Sequence, residues 1–198
     1  MQLRIPPLHT ERVIVREYRL DDLPAAHHTL HRAWHGRPED EAAGLPQRRA
    51  WMEWSVRNFE ALTDMSQPPY GDRAVTLADG TMIGSAGLVP AMGPFAQLVN
   101  EDHAGDPPAH ALNNPEVGLY WAIDPEYQKR GYATEAGGAL IRYAFEELQV
   151  ARIIATTEYD NLASQAVMRK LGMRLMRNPY PHPVWFQVVG VLENMAGR

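Results

Sequence analysis

The sequence predicts an α/β domain on a mixed sheet, and three observations carry that expectation. Residues 117–123 set Val117, Leu119, Trp121 and Ile123 at alternate positions, the period of a half-buried strand. A helix-period run follows, with Ala133, Ala136, Leu140, Ile141, Ala144, Phe145 and Leu148 on one face, and after it the strand-like run Arg152–Thr157. Strand, helix and strand in that order make a right-handed crossover, which sets the two strands parallel. Upstream, Ala78-Asp79-Gly80-Thr81 is a hairpin signal between Arg73–Leu77 and Met82–Val89, which sets those two antiparallel.

From the N-terminus, Val13, Ile14 and Val15 read as a short strand, and Asp21-Asp22 before Leu23-Pro24 offers carboxylates to cap a helix. That helix carries His27, His31 and His35 about four residues apart on one face, with His28 beside them. The spacing would suit a metal, but no carboxylate partner is evident. The row reads as a partly exposed polar face or as lining for a pocket. Residues 36–44, with Pro38 and three acids, read as a loop. A second helix is predicted over Pro46–Thr63, with Trp51, Met52, Trp54, Val56, Phe59 and Leu62 on its apolar face and both tryptophans in the core.

Gly84 and Gly87 inside a strand imply close approach by another backbone or a ligand. Residues 90–115 are rich in Pro, Gly, Asn and Ala, lack a sustained period, and read as a long loop insertion, a lid or partner surface. Gly137-Gly138 in mid-helix costs about 1 kcal/mol per glycine relative to alanine, so tight packing on the sheet is expected there. Asp160 or Asn161 caps a helix ending at Leu171 before Gly172, Pro179–Pro183 forms a rigid loop, and Val184–Leu192 alternates as a last strand.

Composition narrows the function. The 198 residues fit a single domain, taken as 1–198. With no cysteine there is no disulfide, thiolate metal site or cysteine nucleophile. A net charge of −5 gives no general nucleic-acid footprint, and no stretch approaches the roughly 20 apolar residues of a membrane span. A cytoplasmic protein is expected, with a homodimer as the commonest assembly.

The informative junction lies between strand and helix, where Asp124-Pro125 stops the strand and Gly131 opens the helix. The first turn of a helix has no intrahelical acceptors, so the N–H groups of Lys129 to Ala133 are free to point at an anion. Gly131 permits a positive φ, and Lys129 and Arg130 bring cationic charge. Lys129 is one of only two lysines in the chain. The residues taken alone fit either a phosphate socket or a plain tight turn.

Gln128-Lys129-Arg130-Gly131-Tyr132-Ala133 after that strand resembles the acetyl-CoA signature of the GNAT acetyltransferase superfamily. Asn161-Leu-Ala-Ser164 with Met168-Arg-Lys-Leu-Gly172 resembles the helix following the family's fifth strand. Thr10-Glu-Arg-Val-Ile-Val-Arg16 with Asp21-Asp22 resembles the opening of its ribosomal-protein N-terminal acetyltransferase branch. The resemblance implies a mostly antiparallel sheet with a splayed parallel pair, flanked by helices, and acetyl-CoA as cosubstrate without a metal. It implies that backbone groups of Trp121, Ala122 and Ile123 line the pantetheine arm, and that Gln128, Lys129, Arg130, Gly131, Tyr132, Ala133 and Thr134 hold the pyrophosphate. Asn161 would bond the arm or hold its loop.

Acetyl transfer from a thioester to an amine needs a neutral amine, a polarised carbonyl and a proton for the thiolate. The resemblance implies Glu116 as the base acting through water, with Glu158, Tyr159 and Asp160 behind it; a strand-end ion pair is the alternative for Glu116. Many members carry a tyrosine acid where this chain has Met168, whose thioether donates no proton. The ribosomal branch uses a serine in Asn-x-x-Ser, which implies Ser164 on the thiol side; a helix cap is its alternative. The acceptor is a primary amine, either a protein N-terminus or a small molecule. The rival reading is a non-catalytic acyl-CoA-binding sensor or scaffold. A P-loop enzyme is excluded, since the chain has no Gly-x-x-x-x-Gly-Lys-Ser/Thr.

Overall fold

The structure, a computed structural model, describes residues 4–100 and 107–197. In chain order its elements are β1 (Leu8–His9), β2 (Val13–Arg16), α1 (Leu23–Ala33), α2 (Glu41–Asp64), β3 (Gly71–Leu77), β4 (Met82–Gly93) and β5 (Asn114–Ile123). There follow α3 (Tyr132–Glu146), β6 (Arg152–Thr157), α4 (Leu162–Lys170), β7 (Arg174–Arg177) and β8 (Val188–Glu193). The hydrogen-bonded strand order is β1-β2-β3-β4-β5-β6-β8-β7. β5 and β6 run parallel, Val117 opposite Ile153 and Gly118 opposite Ile154, as the crossover through α3 requires. The pairs β1–β2, β2–β3, β3–β4, β6–β8 and β7–β8 are antiparallel. The mixed α/β class expected from the sequence is therefore the class observed. No described helix is long and apolar enough to cross a membrane.

The chain folds as two compact units, Met1–Val89 with Tyr120–Leu148, and Pro90–Leu119 with Gln149–Arg198. In the first, the β3–β4 hairpin closes at Gly80 with φ +90°, and Thr81 donates its N–H to Asp79 Oδ1 at 2.9 Å. Tyr18, Leu23, Ala26, Met52, Phe59, Ala74 and Met82 form the core between the two helices and β3. Burying each larger side chain there contributes roughly 1.5–3 kcal/mol. A Cβ on Gly84 would stand 2.4 Å from the Ala122 carbonyl oxygen, so the close approach anticipated there is made by backbone.

Three local expectations for this unit are corrected. α2 begins at Glu41, so the expected loop 36–44 supplies a 3-10 turn, Pro38–Asp40, and the helix's first turn. Pro46 is tolerated inside because it forgoes a single early hydrogen bond, to the carbonyl of Ala42. Trp54 is 59% exposed while Trp51 packs on the core, since Met52, Ser55 and Phe59 occupy the inward stripe. Asp22 does not cap α1 with its side chain; it accepts from the Arg19 N–H at 2.8 Å and pairs with Arg16 at 2.7 Å, closing the preceding 3-10 turn.

The histidine row has a structural use. A ring nitrogen of His27 bonds the Glu41 carbonyl at 2.6 Å and one of His31 bonds the Arg37 carbonyl at 2.8 Å. His28 meets the Glu41 carboxylate at 2.9 Å. Together these fasten the α1–α2 connection. Among the described residues no group of three or more His, Asp or Glu side chains is placed to hold a metal.

In the second unit β8 lies between β6 and β7, over a core of Leu98, Ile154, Phe186, Val189 and Val191. Much of the expected 90–115 loop is regular: β4 runs on to Gly93, Phe95–Gln97 forms a 3-10 turn, Val99 bridges Arg177, and β5 starts at Asn114. Residues 101–106 lie outside the described residues. The expected last strand begins late, because Val184–Phe186 is a 3-10 turn that drives Phe186, 0% exposed, against Gly93 and Phe95.

Candidate functional site

In the first unit β5 ends at Asp124, which is 4% exposed and tied down on three sides. Its N–H donates to the Ile83 carbonyl at 2.9 Å, its carboxylate accepts from the Glu126 N–H at 2.9 Å, and Arg32 approaches at 3.3 Å. A 3-10 turn, Pro125–Tyr127, then leads to Gln128, whose side-chain amide donates to the Ile123 carbonyl at 2.8 Å. Gln128 thus braces the turn against the strand end, and the Ile123 carbonyl is already satisfied. Trp121 is half-buried, and Ala122 and Ile123 are buried.

The turn places two residues at positive φ, Lys129 at +61° and Gly131 at +88°. For lysine that conformation costs roughly 1–2 kcal/mol, which the surrounding structure has to offset. Glu135 N–H reaches the Gly131 carbonyl at 3.0 Å, whereas the N–H groups of Lys129 to Thr134 meet no acceptor among the described residues. Lys129 and Arg130 are exposed and have no ion-pair partner among the described residues. Tyr132, Ala133 and Thr134 are half-buried in the first turn of α3. Six consecutive amides, a helix N-terminus and two unpaired cations make an anion socket.

Arg12, from the Thr10–Arg16 stretch at the other end of the chain, holds this turn in shape. Its guanidinium donates to the Arg130 carbonyl at 2.9 Å, pairs with Glu135 at 2.5 Å and lies over the Tyr132 ring at 4.9 Å. Burial pushes Glu135 up, but hydrogen bonds from Thr10 and Arg12 outweigh it and hold the carboxyl below its usual range. Its negative charge at the helix start is thereby spent on Arg12 and not on the turn. The signal lay in Thr10-Glu-Arg12, more than a hundred residues from its target.

In the second unit Asn161 caps α4, its side-chain oxygen accepting from the Ser164 N–H at 3.0 Å. The Ser164 hydroxyl itself is half-buried and bonds no described residue, so the cap is Asn161's work and the serine oxygen stays available. Met168, where a tyrosine acid would stand, is 0% exposed and packs against Gly190, a core role. Glu116 is locked: both carboxylate oxygens accept from Arg152, whose Nε lies at 3.0 Å, and Phe95 stacks under the guanidinium at 5.3 Å. Hydrogen bonding to Glu116 raises Arg152 above its usual range. Tyr159 is a brace, its hydroxyl donating to the Asn178 carbonyl and its N–H to Gln187 at 2.9 Å.

Residues 12–174 match the family model described as the acetyltransferase (GNAT) domain. The chain belongs to the GNAT acetyltransferase family. Among proteins similar to this GNAT chain, the "Uncharacterized N-acetyltransferase YnaD" of Bacillus subtilis (strain 168) is 48% identical over 59 residues, 30% of this chain and 34% of that protein. The chain spans about a third to a half of the length of the first curated relatives it matches. Among solved GNAT structures, the ribosomal-protein-S5-alanine acetyltransferase from Vibrio fischeri superposes with a TM-score of 0.66 at 15% identity, over 98% of this chain and 100% of that one. RimL, a ribosomal L7/L12 alpha-N-protein acetyltransferase solved in complex with coenzyme A, gives 0.62 at 14% identity, over 95% and 98%. At these identities the likeness is one of fold.

Proposed function

We propose that the protein is an acetyl-CoA-dependent N-acetyltransferase that moves an acetyl group to a primary amine by direct attack on the thioester. The observation that carries this is the turn at Lys129–Gly131, with two positive φ values ahead of a helix whose first amides lack acceptors. Such a turn suits a diphosphate, and membership of the GNAT family makes coenzyme A the natural owner of it. In this reading the amides of Lys129 to Thr134 hold the pyrophosphate, and Gln128 acts through its brace to Ile123. Backbone groups of Trp121 and Ala122, and Asn161 with its loop, serve the pantetheine arm.

The amine nitrogen attacks the thioester carbonyl, the C–N bond forms, the C–S bond breaks, and one proton passes from nitrogen toward the departing sulfur. Ser164 is the proposed donor to the thiolate, supported by a hydroxyl that no described residue engages. Glu116 is the proposed base, acting through water while Arg152 fixes its carboxylate. Taking up a proton would weaken that pair, which makes Glu116 the more exposed of the two assignments to experiment. A cytoplasmic setting is expected, with the chain as a homodimer, which light scattering reads.

Two measurements test the reading: titration calorimetry with acetyl-CoA, and thiol release from acetyl-CoA with an amine panel. Micromolar binding with amine-dependent release is expected. Binding without release, unchanged in Ser164→Ala, would favour the non-catalytic acyl-CoA module.

A further inference from the structure

Away from the phosphate turn, unmatched polar groups gather in one corner of the first unit. The phenol oxygens of Tyr18 and Tyr120 and Nε of Arg48 are buried and bond no described residue. The Asp72 carboxylate has no hydrogen bond or ion pair among the described residues and feels Arg73 and Arg48 through space. In β3 and β4, Asp72 stands opposite Gly87 and Ala74 opposite Ser85, so Asp72 and Ser85 share one face, the face whose Ala74 packs with Tyr18. Both phenols approach the Ser85 hydroxyl, which donates to the Arg73 carbonyl at 3.2 Å, but neither meets it in hydrogen-bond geometry. Tyr18 rests edge-on against Trp51 at 5.1 Å, and the Arg48 guanidinium lies over Trp51 at 4.9 Å and Trp34 at 5.1 Å.

A buried donor without a partner is destabilising, and such groups are rare in native structures. Three of them beside a lone carboxylate make a polar cluster whose missing partners a polar ligand would supply. The chemistry is specific: one free anion, one free cation, neutral phenols between them and tryptophan walls. Burial pushes both phenols well above their usual range, so they remain donors at every physiological pH. Arg48 and Asp72 are only half-buried, so the cluster reaches solvent at its charged residues. Tyr120 lies in β5, the strand whose next residues, Trp121 and Ala122, are assigned to the cofactor.

We propose that Tyr18, Arg48, Asp72, Ser85 and Tyr120 form the acceptor subsite, and that it takes a small zwitterionic amine of the α-amino-acid class. The ammonium sits at Asp72 and the carboxylate on the Arg48 fork. This rests on the acetyltransferase reading and narrows its substrate.

The test compares each L-α-amino acid with its own carboxamide in the thiol-release assay, with coenzyme A affinity measured in parallel by calorimetry. The amide keeps the amine and shape but loses the anion. It also holds more of its amine in the neutral form, which biases the assay against the proposal. At least one amino acid is expected to exceed its amide in kcat/KM by about 10-fold or more, mainly through KM. Arg48→Gln is expected to erase that preference and Arg48→Lys to keep part of it, with coenzyme A affinity within about 2-fold of the parent in both. Amides that equal or outrun their acids, or a preference that survives in Arg48→Gln, with coenzyme A still bound, would overturn the subsite and leave the transferase standing. Absence of coenzyme A binding in the parent would overturn both.

Discussion

Asp72→Asn is the substitution whose effect on stability is easiest to work from the structure. Burial lifts the Asp72 carboxyl from 3.8 to about 6, with Arg73 and Arg48 pulling it only part of the way back. The unfolded chain sheds this proton near 3.8 and the folded chain near 6, so between those values the native state binds more protons. Stability from this group is therefore present in acid and lost as pH rises through that window. The full loss is about 3 kcal/mol, complete above pH ~7 and absent below pH ~3. Asparagine keeps the shape without the charge. At pH ~8 the variant should be more stable than the parent by about 1–3 kcal/mol, and by pH ~4.5 the gap should fall below about 1 kcal/mol. Urea unfolding of the two proteins in parallel across that range isolates the effect, because every other titrating group cancels in the difference. A gap that does not change with pH, or an asparagine variant less stable at the alkaline end, would refute the burial argument.

Three further outcomes are expected. Ser164→Ala should lower kcat by about 10²–10⁴-fold while leaving the melting temperature in place, because its hydroxyl bonds no described residue; an unchanged kcat removes it from the chemistry. Glu116→Gln should destabilise by about 1–3 kcal/mol by removing the nearer of Arg152's two carboxylate partners and leaving only Glu193 at 3.7 Å, seen in denaturant unfolding. A rate loss beyond that of Arg152→Gln, read in the same thiol-release assay, is what a base at Glu116 predicts. Gly131→Ala forces a side chain to φ +88° and should cost about 1–2 kcal/mol together with a clear loss of coenzyme A affinity; calorimetry showing full affinity would dissociate the turn from phosphate binding.

Much of the architecture was readable from local pattern. β6 begins and ends where its residues change character, Arg152 to Thr157, and α3 starts one residue after the glycine that opens it. Period and punctuation report such boundaries because the backbone rules behind them are local. Elsewhere a distant contact decides. Trp54 looks like a core residue from its type, but only the packing of Met52 and Phe59 selects which stripe of α2 turns inward. The 184–192 run alternates throughout, yet Phe186 leaves the strand pattern to fill the space above Gly93.

The candidate site divides in the same way. Gln128 to Thr134 and Asn161-x-x-Ser164 were legible because a helix N-terminus is made from consecutive residues. Glu116 was legible as an acid on a strand, but its commitment to Arg152, 36 positions away, was not. Arg12 stands in the Thr10–Arg16 motif, but its contact with the Arg130 carbonyl is not written there, and the Tyr18–Arg48–Asp72–Tyr120 cluster joins distant parts of the chain with no motif at all.

By itself, then, the sequence determined the family, the fold class, the strand–turn–helix with its glycine opening and the Asn-x-x-Ser helix start, all properties of contiguous residues under helix and strand geometry. The tertiary structure decided which charges are spent on each other and which stay unpaired, because desolvation and ion pairing depend on groups that meet only when the chain is folded.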